Sequence, residues 1–121
     1  MATNRREHPL NVPAAKVWEA VRDFGQVHTR VAPGFLTGLE LDKGDRVITF
    51  FTVDDSAMRV FYTVVGGRPS HYNGAIQVIA DGASTCRLVW TIDLLPDDLR
   101  PIVGGMMDHA APFMKQTLEA T

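Results

Sequence analysis

Between Pro101 and Ala120, the residues Ile102, Val103, Met106, Met107, Ala110, Phe113, Met114 and Leu118 recur at helical spacing and cover about half of a helix circumference. Asp108, Lys115, Gln116 and Glu119 take the rest. Pro96-Asp97-Asp98 stops what precedes this helix and places acidic residues near its start, where the helix dipole favours them. A helix of about 20 residues is ~30 Å long, the span of a small domain, so its apolar half requires an equally broad apolar partner. Two features loosen it. Gly104 and Gly105 each cost up to ~1 kcal/mol relative to Ala near the first turns. Pro112 removes a backbone hydrogen bond and clashes with the Asp108 carbonyl, which predicts a kink over 108–112 and space beneath it.

The partner is read from Phe35 to Leu95, where the apolar period changes to two, the strand signal. Phe35, Thr37, Leu39 and Leu41 alternate with Gly38, Glu40 and Asp42. Arg46 to Val53 is β-branched and aromatic nearly throughout, which predicts a strand covered on both faces, and Asp54-Asp55-Ser56 reads as a turn. Met58, Val60, Tyr62 and Val64 fall on one side of the next strand, with Arg59 and Thr63 on the other. After a turn at Gly66-Gly67 and Pro69, Tyr72, Ile76 and Val78 oppose His71, Asn73 and Gln77. Asp81-Gly82 is a hairpin turn. In the last strand Cys86, Leu88, Trp90, Ile92 and Leu94 point inward, and Arg87, Thr91 and Asp93 outward. Connections this short require antiparallel pairing.

Ahead of these strands, Arg5 to Val12 reads as an extended segment in which Pro9 suits only an edge or a strand end. Pro13 suits a first helical position, and Ala14, Val17, Trp18, Val21 and Phe24 share one face opposite Lys16, Glu19 and Asp23. Gly25 ends that helix, and residues 26–31 form a short second one before Ala32-Pro33-Gly34. The expected class is α+β. About six antiparallel strands form a curved sheet packed around the long C-terminal helix, with one or two short helices after the first strand, in a single domain over residues 1–121.

Composition narrows the partners. Net charge is −2 and the Lys and Arg residues are scattered, which argues against nucleic acid and anionic membranes. No run approaches the ~20 apolar residues of a membrane span, so no stable insertion is expected. The lone Cys86 and an N-terminus without an apolar run behind its charges point to the cytoplasm. None of His8, His28, His71 and His109 stands four residues from another ligand type in a metal motif, so no metal is expected. The chain carries no phosphate loop, dinucleotide fingerprint or nucleophile elbow, and no cofactor is expected.

Several segments, taken together, are similar to one family. They are Val12-Pro13-Ala14-Ala15-Lys16-Val17-Trp18 with Asp23-Phe24-Gly25, then Val53-Asp54-Asp55, Tyr62 with Val64-Val65-Gly66-Gly67, and His71-Tyr72-Asn73. Val89-Trp90-Thr91-Ile92-Asp93-Leu94-Leu95-Pro96-Asp97 and Met114-Lys115-Gln116-Thr117-Leu118-Glu119 complete the set. In that order they resemble the START-like helix-grip (SRPBCC) superfamily, in its bacterial polyketide cyclase/dehydrase-like branch. Two positions depart from the pattern. Phe51 leads almost directly into Val53-Asp54-Asp55, so a strand of roughly five to ten residues is missing relative to the family. Pro112 stands where relatives usually carry a helix former. A shortened sheet exposes an edge, which favours a homodimer.

The resemblance implies an apolar pocket between sheet and C-terminal helix. It would be lined by Tyr62, Ile76, Leu88 and Trp90 from the sheet and by Met106, Ala110, Phe113 and Met114 from the helix. It implies a small hydrophobic ligand such as a lipid, polyketide or aromatic metabolite, the partner class that an apolar wall suits. The alternative is a polyketide cyclase or dehydratase that moves a proton with a single acid–base group, for which His109, Tyr62 and His71 are the candidates. Whether the chain is an enzyme is left open by the sequence. Asp93 falls on the face opposite Trp90, which suits a surface or turn-stabilising role.

Overall fold

The structure, a computed structural model, describes residues 2–23, 48–65 and 69–120. Strand β1 (Ala2–Leu10), helix α1 (Ala14–Arg22) and strands β2 (Ile48–Asp54), β3 (Arg59–Val65), β4 (His71–Ala80) and β5 (Cys86–Leu95) follow in order. After a 3-10 turn at Asp97–Leu99 comes the long helix α2 (Arg100–Glu119). The strands form one sheet in the order β1-β5-β4-β3-β2, every neighbouring pair antiparallel. The strand expected at Phe35–Asp42, the short helix at 26–31 and His28 lie outside the described residues.

The alternation read from the sequence sets the two faces. Leu88, Ile92 and Leu94 of β5 are fully buried on the inner face, joined by Val60 of β3 and by Ile76 and Val78 of β4. Strand β1 begins earlier than expected and stands at one end of the sheet, where Pro9 removes no needed hydrogen bond. Two expectations change on contact with the structure. Met58 does not enter β3 but closes the preceding turn, with a left-handed φ of 51°. Strand β2 is not covered on both faces: Phe50 is 62% exposed on the outer side and Phe51 46% on the inner. An apolar sequence specifies a strand whose faces are fit for burial, and the covering layer has to come from elsewhere in the fold.

Helix α1 buries Ala14, Val17, Trp18 and Val21 and packs against β4 and β3. The turn after β2 is tied to it by Asp55, whose carboxylate accepts from Trp18 Nε1 at 3.0 Å and from Arg22 Nε at 2.8 Å. These bonds, that from Arg22 first, hold the Asp55 carboxyl below the usual carboxylate range. Among the described residues, no helix is long and apolar enough to cross a membrane.

Helix α2 buries Val103, Gly104, Met107, Ala110, Met114 and Leu118 and continues unbroken through Pro112. Pro112 and Asp108 are both exposed, so the hydrogen bond lost at the proline falls on the solvent side, where water substitutes for it. Along its β1 flank the helix is pinned three times. Asn4 Nδ2 donates to the Arg100 carbonyl at 3.1 Å, Arg6 Nε to Asp108 Oδ1 at 2.7 Å, and the Asn11 backbone N–H to Glu119 Oε2 at 2.8 Å. Gly104 is what lets α2 approach so closely, because a Cβ there would stand 3.0 Å from Arg6 Nη2 and 3.4 Å from Asn4 Oδ1. Gly105 faces open space. The two glycines therefore separate under substitution. Gly105→Ala is expected to raise stability by up to ~1 kcal/mol, the helix-propensity gain at an unobstructed site. Gly104→Ala is expected to gain nothing or lose stability, because Arg6 and Asn4 have to move. Urea denaturation of the two variants beside the parent checks both.

Candidate functional site

Three side chains on the inner face form a buried polar relay. Trp90 Nε1 donates to the Tyr62 hydroxyl at 2.8 Å, and the hydroxyls of Tyr62 and Tyr72 are hydrogen-bonded to each other. Their rings lie 6.4 Å apart at 42°. Register builds the cluster: Ile76 stands opposite both Trp90 and Val60, and Gly74 stands opposite Tyr62. The Tyr62 ring lies over Gly74, and a Cβ at that position would overlap it. Burial pushes both phenols far above the ordinary tyrosine value, so both stay protonated at neutral pH. Tyr62 is therefore placed as a satisfied member of the floor, its hydroxyl already committed to Trp90 and Tyr72.

The other residues expected at a pocket divide between seam and border. Ile76, Leu88, Trp90, Ala110 and Met114 are buried where α2 meets the sheet. Met106 is partly buried, and Phe113 is 37% exposed. At about 100° per residue, Ile102, Met106, His109 and Phe113 fall within an arc of about 60°, roughly 110° around the helix from the centre of its buried face. Asp108 and Gly104, which touch β1, lie on the other flank. Since β1 ends the sheet, the stripe of Ile102, Met106, His109 and Phe113 looks along the inner face towards β4, β3 and β2. Ile102 is 53% exposed, and the His109 and Phe113 rings meet edge-on with centroids 5.4 Å apart. Across from the stripe, the inner faces of β2 and β3 present the half-exposed Phe51 together with the partly buried Val53 and Val64. Sequence reasoning missed Ile102 and Phe51 as border residues. The signal for Phe51 was its alternation with Val53 on one face of β2.

The histidines do not converge. His71 opens β4 on the outer face, away from Tyr62, Tyr72 and His109. His8 is half-buried on the inner face of β1, and its Nε2 has no hydrogen-bond partner among the described residues. Burial holds its pKa below the usual histidine value against the pull of Asp108. The buried Cys86 thiol is pushed up in pKa, chiefly by desolvation. Among the described residues, no three His, Cys, Asp or Glu side chains group to hold a metal ion.

A cleft of about 280 Å³ lies elsewhere, lined by Phe50, Thr52, Phe61, Thr63 and Asn73 with Phe51, Tyr62 and Gly74. The first five alternate to the outer face, and the last three form the row between them, so their main chain is the cleft floor. It thus opens on the side of the sheet opposite α2 and shares no surface with the stripe.

Comparison with known proteins agrees with this architecture. A family model described as "Polyketide cyclase / dehydrase and lipid transport" matches residues 1–121. Among solved structures, the XoxI protein of Bacillus cereus is 16% identical, with a TM-score of 0.72 over 99% of this chain and 94% of that one. The di-domain aromatase/cyclase BexL of the BE-7585A biosynthetic pathway gives a TM-score of 0.77 at 14% identity, over 98% of this chain and 47% of its own. Truncated norcoclaurine synthase from Thalictrum flavum gives 0.70 at 14% identity, over 95% of this chain and 91% of that one. At these identities the likeness establishes the helix-grip fold. No curated protein matches the sequence.

The relay yields a direct test. Gly74→Ala places a methyl group where the Tyr62 ring lies, and is expected to cost ~1–3 kcal/mol, the range for overpacking a core. Chemical denaturation followed by tryptophan fluorescence measures this, and a neutral Gly74→Ala would contradict the packing of Tyr62 over Gly74.

Proposed function

We propose that this chain, which belongs to the polyketide cyclase / dehydrase and lipid transport family, binds a small hydrophobic molecule between α2 and the inner face of β2 and β3. The observation that carries this reading is a set of partly exposed apolar side chains on the α2 stripe and on the inner face of β2 and β3. Ile102, Met106 and Phe113 lie on the α2 stripe, and Phe51 and Val64 face them from the sheet. Concave apolar walls with few polar groups suit a lipid, polyketide or aromatic metabolite. Methionine at 106 suits a wall that adapts to its guest. Ile76, Leu88, Trp90, Ala110 and Met114 are buried in the seam beside the groove, which Tyr62 stiffens through Trp90 and Tyr72. The lone buried Cys86 suits a reducing, cytoplasmic setting.

A cyclase or dehydratase is the second reading, and the placement of His109 on the stripe against Phe113 favours it. The neutral phenol of Tyr62 is committed to Trp90 and Tyr72, and His71 faces away, so His109 would act alone. Binding asks less of the residues present.

Native mass spectrometry of the purified protein, followed by mass analysis of what denaturation releases, tests binding directly. A retained apolar compound, or uptake from a panel of fatty acids and aromatic polyketides, is the expected result. Phe51→Ser and Phe113→Ser should each weaken uptake by about tenfold, the effect of ~1.4 kcal/mol of lost apolar contact. Uptake indifferent to both substitutions would overturn the site. Turnover of a bound polyketide that disappears in His109→Ala while binding persists would install the enzymatic reading.

A further inference from the structure

The outer face of the sheet is divided. Over β1 and β5 it is dressed with polar and ionic pairs: Arg87 bonds Glu7 at 2.9 Å and Asp81 at 3.0 Å, and Thr3 bonds Asp93 at 2.6 Å. Over β2 and β3 it carries Phe50, Phe61 and Val65, which are 62%, 45% and 52% exposed. Large apolar side chains exposed together on one patch mark interaction sites more often than scattered ones do.

We infer that this outer face of β2 and β3 docks a second copy of the same chain, each copy inserting a phenylalanine into the other's cleft. The geometry is self-complementary. Register sets Phe50 opposite Thr63 and Thr52 opposite Phe61, so projecting rings and small side chains alternate. The cleft of about 280 Å³ lies between the two rings. A two-fold contact places residue i on j and j on i, which needs a projection and a matching hollow side by side on one surface.

The polar floor and the charges favour the same occupant. Thr63 Oγ1 donates to Asn73 Oδ1 at 2.7 Å, so these two polar lining groups are already paired with each other. Arg59 lies over the Phe61 ring at 4.7 Å, with Asp54 opposite it in register. The patch is thereby close to neutral, and a second copy meets no like-charge repulsion. An acidic or basic partner gains little from it. Two phenylalanines about half exposed contribute ~100 Å² each, so the contact falls in the small class below ~1,200 Å² and is weak and concentration-dependent. Phe61 and Tyr62 point to opposite faces, so association leaves the α2 groove open and does not depend on its occupant. The homodimer expected from the sequence uses an exposed edge of the sheet. The surface inferred here is its face.

Sedimentation velocity of the full chain over a wide concentration range tests the inference. A monomer–dimer equilibrium is expected, with Phe61→Ser and Phe50→Ser each raising the dissociation constant by at least about tenfold, the loss of a central aromatic contact. Circular dichroism spectra and thermal midpoints unchanged from the parent would show that both variants fold. A chain monomeric at its highest soluble concentration overturns the inference. So does a dimer that both variants leave intact, which would place association at the sheet edge.

Discussion

The seating of α2 against β1 decides what the remaining surfaces are free to do. Val103, Met107, Ala110, Met114 and Leu118 enter the seam, and each buried Val, Leu or Met side chain contributes about 1.5–3 kcal/mol. Their burial alone would allow the helix to roll about its axis. The β1 flank removes that freedom, because Asn4, Arg6 and Asn11 hold Arg100, Asp108 and Glu119 along the whole helix, and Gly104 leaves room for the Arg6 and Asn4 side chains. The ion pair of Arg6 and Asp108 is partly exposed and adds little energy, but it fixes the roll of the helix. With that roll set, the stripe of Ile102, Met106, His109 and Phe113 has to look across the inner face.

Beneath that stripe the sheet is stiffened by the relay from Trp90 through Tyr62 to Tyr72. A buried hydroxyl without a partner is costly, and this cluster leaves neither phenol alone. At the far end, Asp55 joins the β2–β3 turn to Trp18 and Arg22 of α1, which fixes the distance between hairpin and helix. The inner face between α1 and α2 is therefore firmly held, the condition for binding with little reorganisation.

Much of this was legible in the sequence. Cys86, Leu88, Trp90, Ile92 and Leu94 point inward as their alternation requires, because strand periodicity depends only on the chain itself. The order of elements, the antiparallel sheet and the family resemblance follow from local signals. What escaped depends on partners distant in the sequence. The apolar half of α2 reads as one surface, and the bonds from Asn4, Arg6 and Asn11 divide it into a seam and an open stripe. Gly104 looked like a defect in a helix until β1 was seen beside it. Phe50 and Phe51 looked doubly buried because strand composition carries no record of what covers a strand. Gly74 gave no signal, since its role comes from the register that sets it under Tyr62.

The central claim is that the α2 stripe, and not the α2 seam, receives an apolar guest. The chain's five methionines supply reporters on both. With methyl-labelled methionine, titration with 1-anilinonaphthalene-8-sulfonate should move the Met106 resonance while the fully buried Met107 and the seam residue Met114 stay in place. A Met106 signal that remains still while the probe binds, or shifts confined to Met107 and Met114, would contradict the account.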